Sequence, residues 1–201
     1  VVGILVSLML SLAFTEVIGD SREIKVAIER EAVAILDTFE KLHWYGVERT
    51  REIQTILIDY TQAAIDDDWP ALANDKLGQR VWALSRQLAK SVLEPTTSLQ
   101  EQLWLRILDN VDAISEYRLN RLDNALAKPP IYVPVIVFGF LITMACFGAY
   151  RPHTSLVSLY AVFVGLVLHL VLPLSDPFQG GIGVDPTTFE HLVERLRSEI
   201  R

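Results

Sequence analysis

The chain has 201 residues, 51% hydrophobic and 21% charged, with a net charge of −7 and a single cysteine. An acidic balance excludes a nucleic-acid binder working through a basic face. One cysteine, Cys146, excludes an internal disulfide framework and a cysteine-built metal site.

Charge is unevenly spread. Residues 1–15, 131–150 and 155–173 contain no Asp, Glu, Lys or Arg, and of the apolar stretches only the last carries a histidine, His169. A helix needs about 20 apolar residues to cross a hydrocarbon core. The second and third runs meet that length, with Arg151-Pro-His-Thr154 as a polar turn between them, and predict a transmembrane hairpin. Tyr132, Tyr150 and Tyr160 lie towards the run ends, where aromatic rings favour an interface. The first run is short and lacks a basic lead-in or a small-residue cleavage site, so it reads as part of a membrane helix begun upstream rather than as a signal peptide.

Between the apolar runs, 22–42 carries Ile24, Ala27, Ile28, Ala32, Ile35, Leu36 and Phe39 at helical spacing. This helix is expected to continue the first apolar run, with Gly46 marking its break. Residues 50–67 repeat the pattern through Ile53, Ile56, Leu57, Tyr60, Ala64 and Ile65. Trp69-Pro70 then opens another helix with Asp68 as its cap, and 71–93 and 98–127 supply two more, separated at Pro95. Pro129-Pro130 stops the last before the hairpin. Gly180-Gly181-Ile-Gly183 reads as a connector, since no strand precedes it as a nucleotide loop requires. The amphipathic segment 189–200 follows, with Phe189, Leu192, Val193 and Leu196 on one side. It can dock on the bundle, lie on a membrane surface or meet a partner subunit.

The expected fold is therefore an all-α membrane protein, with transmembrane helices plus a cytosolic helical bundle. Its divisions are a membrane helix at 1–18, the bundle at 19–130, the hairpin at 131–173 and the connector with its amphipathic helix at 174–201. Counting crossings puts the bundle and the C-terminal segment on one side. Arg22, Lys25, Arg30, Arg118, Arg121, Lys128, Arg195 and Arg197 make that side the cytoplasmic one by the positive-inside tendency.

The polar residues within the apolar runs are the candidate sites. Gly3, Ser7, Ser11 and Thr15 recur every fourth residue and form one stripe, closed by Glu16 as a pore-mouth charge. Ser158, Ala161, Gly165 and His169 form a similar face, and Gly139 with Thr143 a shorter one. Such faces serve close helix packing, or line a polar path in an oligomer. An ionisable residue at membrane depth is a functional candidate by default. With no second ligand at helical spacing, His169 is read as a hydrogen-bonding group before a metal or pigment ligand. Asp66-Asp67-Asp68 lacks the alternating oxygen ligands and glycine of a calcium loop, and reads as a solvated helix end. His43 and His191 have no partner at metal-ligand spacing, and no nucleophile–base arrangement is discernible. No catalytic, metal or cofactor site is expected, and no enzyme.

Four blocks in order resemble a known family. They are Leu10-Ser-Leu-Ala-Phe14 with Glu31-Ala32-x-Ala-Ile35; Tyr60 leading to Asp68-Trp69-Pro70-Ala71-Leu72; Arg118-Leu-Asn-Arg121-Leu before Pro129-Pro130; and Pro177-Phe178-x-Gly180 with Val184-x-Pro186-x-x-Phe189. Together they resemble the bacterial bestrophin-like membrane proteins, long catalogued as a domain of unknown function. Lys25 stands where that pattern has arginine, and Ser175 where it has aspartate. The resemblance implies a multi-pass protein of the bacterial inner membrane, distantly similar to bestrophins, which are pentameric ion channels. It implies membrane lipids and further copies of the chain as partners. The other reading is an accessory or scaffold subunit among other membrane subunits.

Overall fold

A computed structural model describes residues 2–45, 48–93, 101–126, 132–150, 154–174, 177–178 and 184–200. In chain order the helices are α1 (Val2–Tyr45), α2 (Glu48–Ala63), α3 (Trp69–Leu72), α4 (Gln79–Leu93), α5 (Glu101–Leu126), α6 (Tyr132–Tyr150), α7 (Thr154–Leu174) and α8 (Thr187–Ile200). A π-helical turn, Ala64–Asp68, joins α2 to α3. The all-α expectation holds among the described residues. The break at Gly46, the Pro95 and Pro129-Pro130 stops, the Arg151–His153 part of the hairpin turn and the Gly180–Gly183 connector lie outside them.

The transmembrane part of that expectation is corrected. Among the described residues, no helix is long and apolar enough to cross a membrane. The apolar runs reach helical form, but each is limited. That of α1 closes at Glu16, α6 holds 19 residues punctuated by Pro134, Gly139 and Thr143, and α7 carries Ser155, Ser158 and His169. Continuous apolar length is what a hydrocarbon core demands.

The chain divides into two compact units, one of residues 1–22 and 127–183, the other of residues 23–126 and 184–201. α1 is one helix of 44 residues that contributes to both.

In the first unit, α6 packs against α7, and a small core gathers Leu10 and Ala13 of α1, Ile136 of α6 and Val164 of α7. Met9, Phe140, Tyr160, Val167 and Leu168 pack around it, with the Phe140 and Tyr160 rings 6.2 Å apart. Much apolar surface stays outside that core. Ile4, Leu8 and Leu12 on α1, Phe138 and Leu141 on α6, and Val162 and Phe163 on α7 are all exposed.

The second unit is a helical bundle. The α1 positions picked out by periodicity, Ile24, Ala27, Ile28, Ala32, Ile35 and Phe39, are buried, and Leu36 is half-buried. Ile53, Ile56 and Leu57 of α2, Val81, Leu88 and Val92 of α4, and Ile107, Val111 and Ile114 of α5 complete the core. At roughly 1.5–3 kcal/mol for each buried large aliphatic side chain, this core is the main term holding the bundle. α2 packs on α4 and α8, and α4 on α5. Of the three placements open to the last helix, it takes the first: Phe189, Leu192, Val193 and Leu196 are buried. Arg195 reaches Glu40 of α1 at 3.1 Å, and Arg197 reaches Gln62 of α2 at 3.0 Å. α8 starts where Asp185 accepts from the Thr187 backbone N–H and hydroxyl, bonds that hold the Asp185 carboxyl below the usual aspartate range.

Candidate functional site

Among the buried polar side chains of the bundle, four ionisable residues of opposite charge and a tyrosine gather in one cluster where an apolar core is the rule. Glu31 (α1), Tyr60 (α2), Asp68 (π turn) and Arg121 (α5) are each 0% exposed, and Arg118 (α5) is 2% exposed. Charges of this kind survive burial only when paired and hydrogen-bonded.

The pairing is built one turn at a time. Arg118 and Arg121 are three residues apart, so α5 presents both guanidiniums on one face. On α2, a regular helix would carry Asp68 away from Tyr60. The π turn admits one extra residue per turn and re-aims the chain there. Asp66 stays exposed while Asp68 is buried. This corrects the solvated-end reading of the aspartate triplet, and also the cap reading: Asp68 makes no side-chain cap bond to α3. Its Oδ1 instead accepts from the Gly78 N–H at 3.1 Å, and the neighbouring Asp67 accepts from the Arg80 N–H at 2.8 Å. A Cβ at Gly78 would fall 2.7 Å from Asp68 Oδ1 and 2.9 Å from Asp68 Cα, so only glycine allows this approach.

Arg121 is the hub. Its Nε lies 3.1 Å from Glu31 Oε2, and its Nη2 lies 3.5 Å from Glu31 Oε1 and 3.0 Å from Asp68 Oδ2. The Nε–Oε2 contact has ion-pair distance without hydrogen-bond alignment, and among the described residues Arg121 Nη1 and Arg118 Nε also lack aligned acceptors. Arg118 Nη2 reaches Asp68 Oδ1 at 3.4 Å. Tyr60 donates its hydroxyl to Glu31 Oε1 at 2.6 Å.

Aromatic rings close the cluster. Arg121 lies over Trp69 and Phe189, at 5.1 and 5.6 Å from their centroids, and Arg118 lies 5.5 Å from Trp82. Trp69 and Phe189 meet edge to face, and the Trp69 indole N–H donates to the Val184 carbonyl at 3.1 Å.

Burial pushes the Glu31 carboxyl above its ordinary range, against the pull of Arg121 and the Tyr60 hydroxyl. Burial and the Glu31 charge drive the Tyr60 hydroxyl well above its usual value of 10.0. For Arg121, burial acts downward, but Glu31 and Asp68 outweigh it and hold the guanidinium charged. Among the described residues, no group of His, Cys, Asp and Glu is placed to hold a metal ion.

Arg118 and Arg121, counted above among the cations that mark the cytoplasmic side, are therefore core residues paired inside the bundle. Sequence reasoning from periodicity missed this cluster. The signal that could have found it was present in the resemblance: Glu31, Tyr60, Asp68-Trp69, Arg118, Arg121, Val184 and Phe189 are the residues of its blocks, and the bundle brings them together.

The residues named first as candidates lie in the other unit. Ser7, Ser11, Thr15 and Glu16 are exposed along α1, and Gly3 belongs to the same helix. Thr15 donates to the Ser11 carbonyl at 2.9 Å. Thr143 is buried in α6 and donates to the Gly139 carbonyl at 2.7 Å, and His169 is exposed on α7. At Gly165, an added Cβ would meet nothing within 4 Å among the described residues, so no described helix packs closely there.

No curated protein and no solved structure matches the chain significantly. A family model, the Bestrophin-like domain, matches residues 1–189, which takes in all four sequence blocks, the first unit and most of the second. That membership points to association with a membrane, in keeping with the exposed apolar faces of α1, α6 and α7. The chain belongs to the bestrophin-like family.

Proposed function

We propose that this chain is a non-enzymatic, membrane-associated subunit of a homo-oligomer that conducts ions. In this reading the Ser7–Ser11–Thr15 face of α1 lines the ion path and Glu16 stands at its mouth. The observation that carries it is the division of α1: Leu10, Ala13 and Val17 are buried, while Ser7, Ser11, Thr15 and Glu16 are exposed. A helix with a packed apolar side and an open side that carries hydroxyls beside Ile4, Leu8 and Leu12 suits the wall of a shared path, where hydroxyl dipoles replace part of an ion's hydration. Membership of the bestrophin-like family supports the same reading. Lipid would cover the exposed Phe138, Leu141, Val162 and Phe163.

A second reading, an accessory or scaffold subunit in a larger membrane complex, is favoured by one finding. No helix among the described residues is long and apolar enough to cross a membrane. Native mass spectrometry of the protein in mild detergent, with two-dimensional particle averages, separates the two. A homogeneous ring, a pentamer above all, followed by liposome ion flux that Ser11→Val alters, supports conduction. A single copy bound to foreign chains, or a ring without flux, ends the channel reading and favours the scaffold.

A further inference from the structure

The geometry points to a proton-binding role for Glu31: on mild acidification it takes up one proton, and Arg121 is left to Asp68 alone. This goes beyond ion conduction and does not depend on it.

The cluster has two carboxylates of unequal support. Asp68 accepts from the Gly78 N–H at 3.1 Å, from Arg121 at 3.0 Å and from Arg118 at 3.4 Å. Glu31 has a short bond from Tyr60 on Oε1 and a long one from Arg121 Nη2 at 3.5 Å, while its Oε2 lies 3.1 Å from Arg121 Nε as an ion pair and has no aligned donor among the described residues. The charged and titratable groups acting on Glu31 from the elements packed around it are Tyr60 of α2, Asp68 of the π turn, and Arg118 and Arg121 of α5.

A proton settles on the buried carboxylate oxygen that accepts no aligned hydrogen bond, which is Oε2 of Glu31. The neutral acid suits the rest of the site. Its carbonyl oxygen, Oε1, still accepts from Tyr60, so that bond survives in both states. Arg121 keeps its aligned hydrogen bond to Asp68 and its place over Trp69 and Phe189. Only the Arg121 fork onto Glu31 slackens, and that fork ties α1 to α5. The direction in which burial moves the Glu31 carboxyl agrees with this. Glu31 thus makes the α1–α5 tie respond to protons while the α5–π-turn tie stays in place.

The test is infrared difference spectroscopy on the full chain in detergent, titrated from about pH 8 to about pH 4. The expected result is a buried protonated-carboxyl C=O band that grows on acidification and is missing in Glu31→Gln. Tyr60→Phe is a second probe that leaves the carboxyl in place. Losing that donor should move the band's midpoint to higher pH by about one unit. Absence of the band in the wild type, its persistence in Glu31→Gln, or an unmoved midpoint in Tyr60→Phe would overturn the assignment. Should Glu31→Gln not fold, the wild-type band and the Tyr60→Phe shift decide alone.

Discussion

Replacing Arg121 by methionine tests the bundle most directly. Methionine keeps much of the length and apolar volume, so little cavity forms between Trp69 and Phe189. What disappears is the charge that Glu31 meets at 3.1 Å and Asp68 at 3.0 Å. Both carboxylates are 0% exposed, so neither recovers the loss through water. Breaking a buried pair by removing one partner costs about 3–5 kcal/mol. Two carboxylates share this partner, but Asp68 retains Arg118 and Gly78, and Glu31 escapes part of the cost by taking up a proton. The expected loss is therefore about 3–4 kcal/mol rather than twice the single-pair figure. For a chain of this size that lowers the unfolding midpoint by roughly 6–16 °C. Far-UV circular dichroism during thermal and urea unfolding in detergent measures it. Adding Glu31→Gln to Arg121→Met should recover about 1–3 kcal/mol, because the double variant no longer buries the Glu31 charge. A loss under about 1 kcal/mol, or strict additivity in the double variant, would refute the claim that the cluster is a coupled unit.

Two further outcomes follow from the same geometry. Gly78→Ala places a methyl 2.7 Å from Asp68 Oδ1 and 2.9 Å from its Cα, and should destabilise by about 1–3 kcal/mol in urea unfolding. Tyr60 titrates near 10.0 when unfolded and well above that when buried, so from about pH 10 upward the native state holds a proton that the unfolded state has lost. Stability should fall as pH rises through that region, and this part of the slope should vanish in Tyr60→Phe. An unchanged alkaline slope would contradict the burial of Tyr60.

Helical periodicity by itself determined most of the secondary structure. The alternation of Ile24, Ala27, Ile28, Ile35 and Phe39 with charge marks one buried stripe, and Phe189, Leu192, Val193 and Leu196 mark another; both are buried in the structure. Apolar residues at regular spacing have one low-energy place to go, so pattern alone locates them. Charged residues do not. Arg118 and Arg121 continue the three- and four-residue spacing of Ile107, Val111 and Ile114 on α5, but spacing alone does not separate an arginine that reaches solvent from the stripe's edge from one paired in the core. Asp68 ends an acidic run whose first member is exposed, and only the π turn turns it inward. Glu31 falls on the apolar stripe itself, between Ile28 and Ile35, and was named solely through family likeness.

The apolar runs show the opposite failure. Their composition suggested membrane crossing, but crossing needs a helix both long and apolar enough, and none of the described helices is. Local pattern decided which segments are helices and which faces are apolar. Tertiary structure alone decided which charges are buried together, because pairing Glu31, Asp68, Arg118 and Arg121 requires helices distant in sequence to meet, and the cost of a buried charge depends on the partners it finds there.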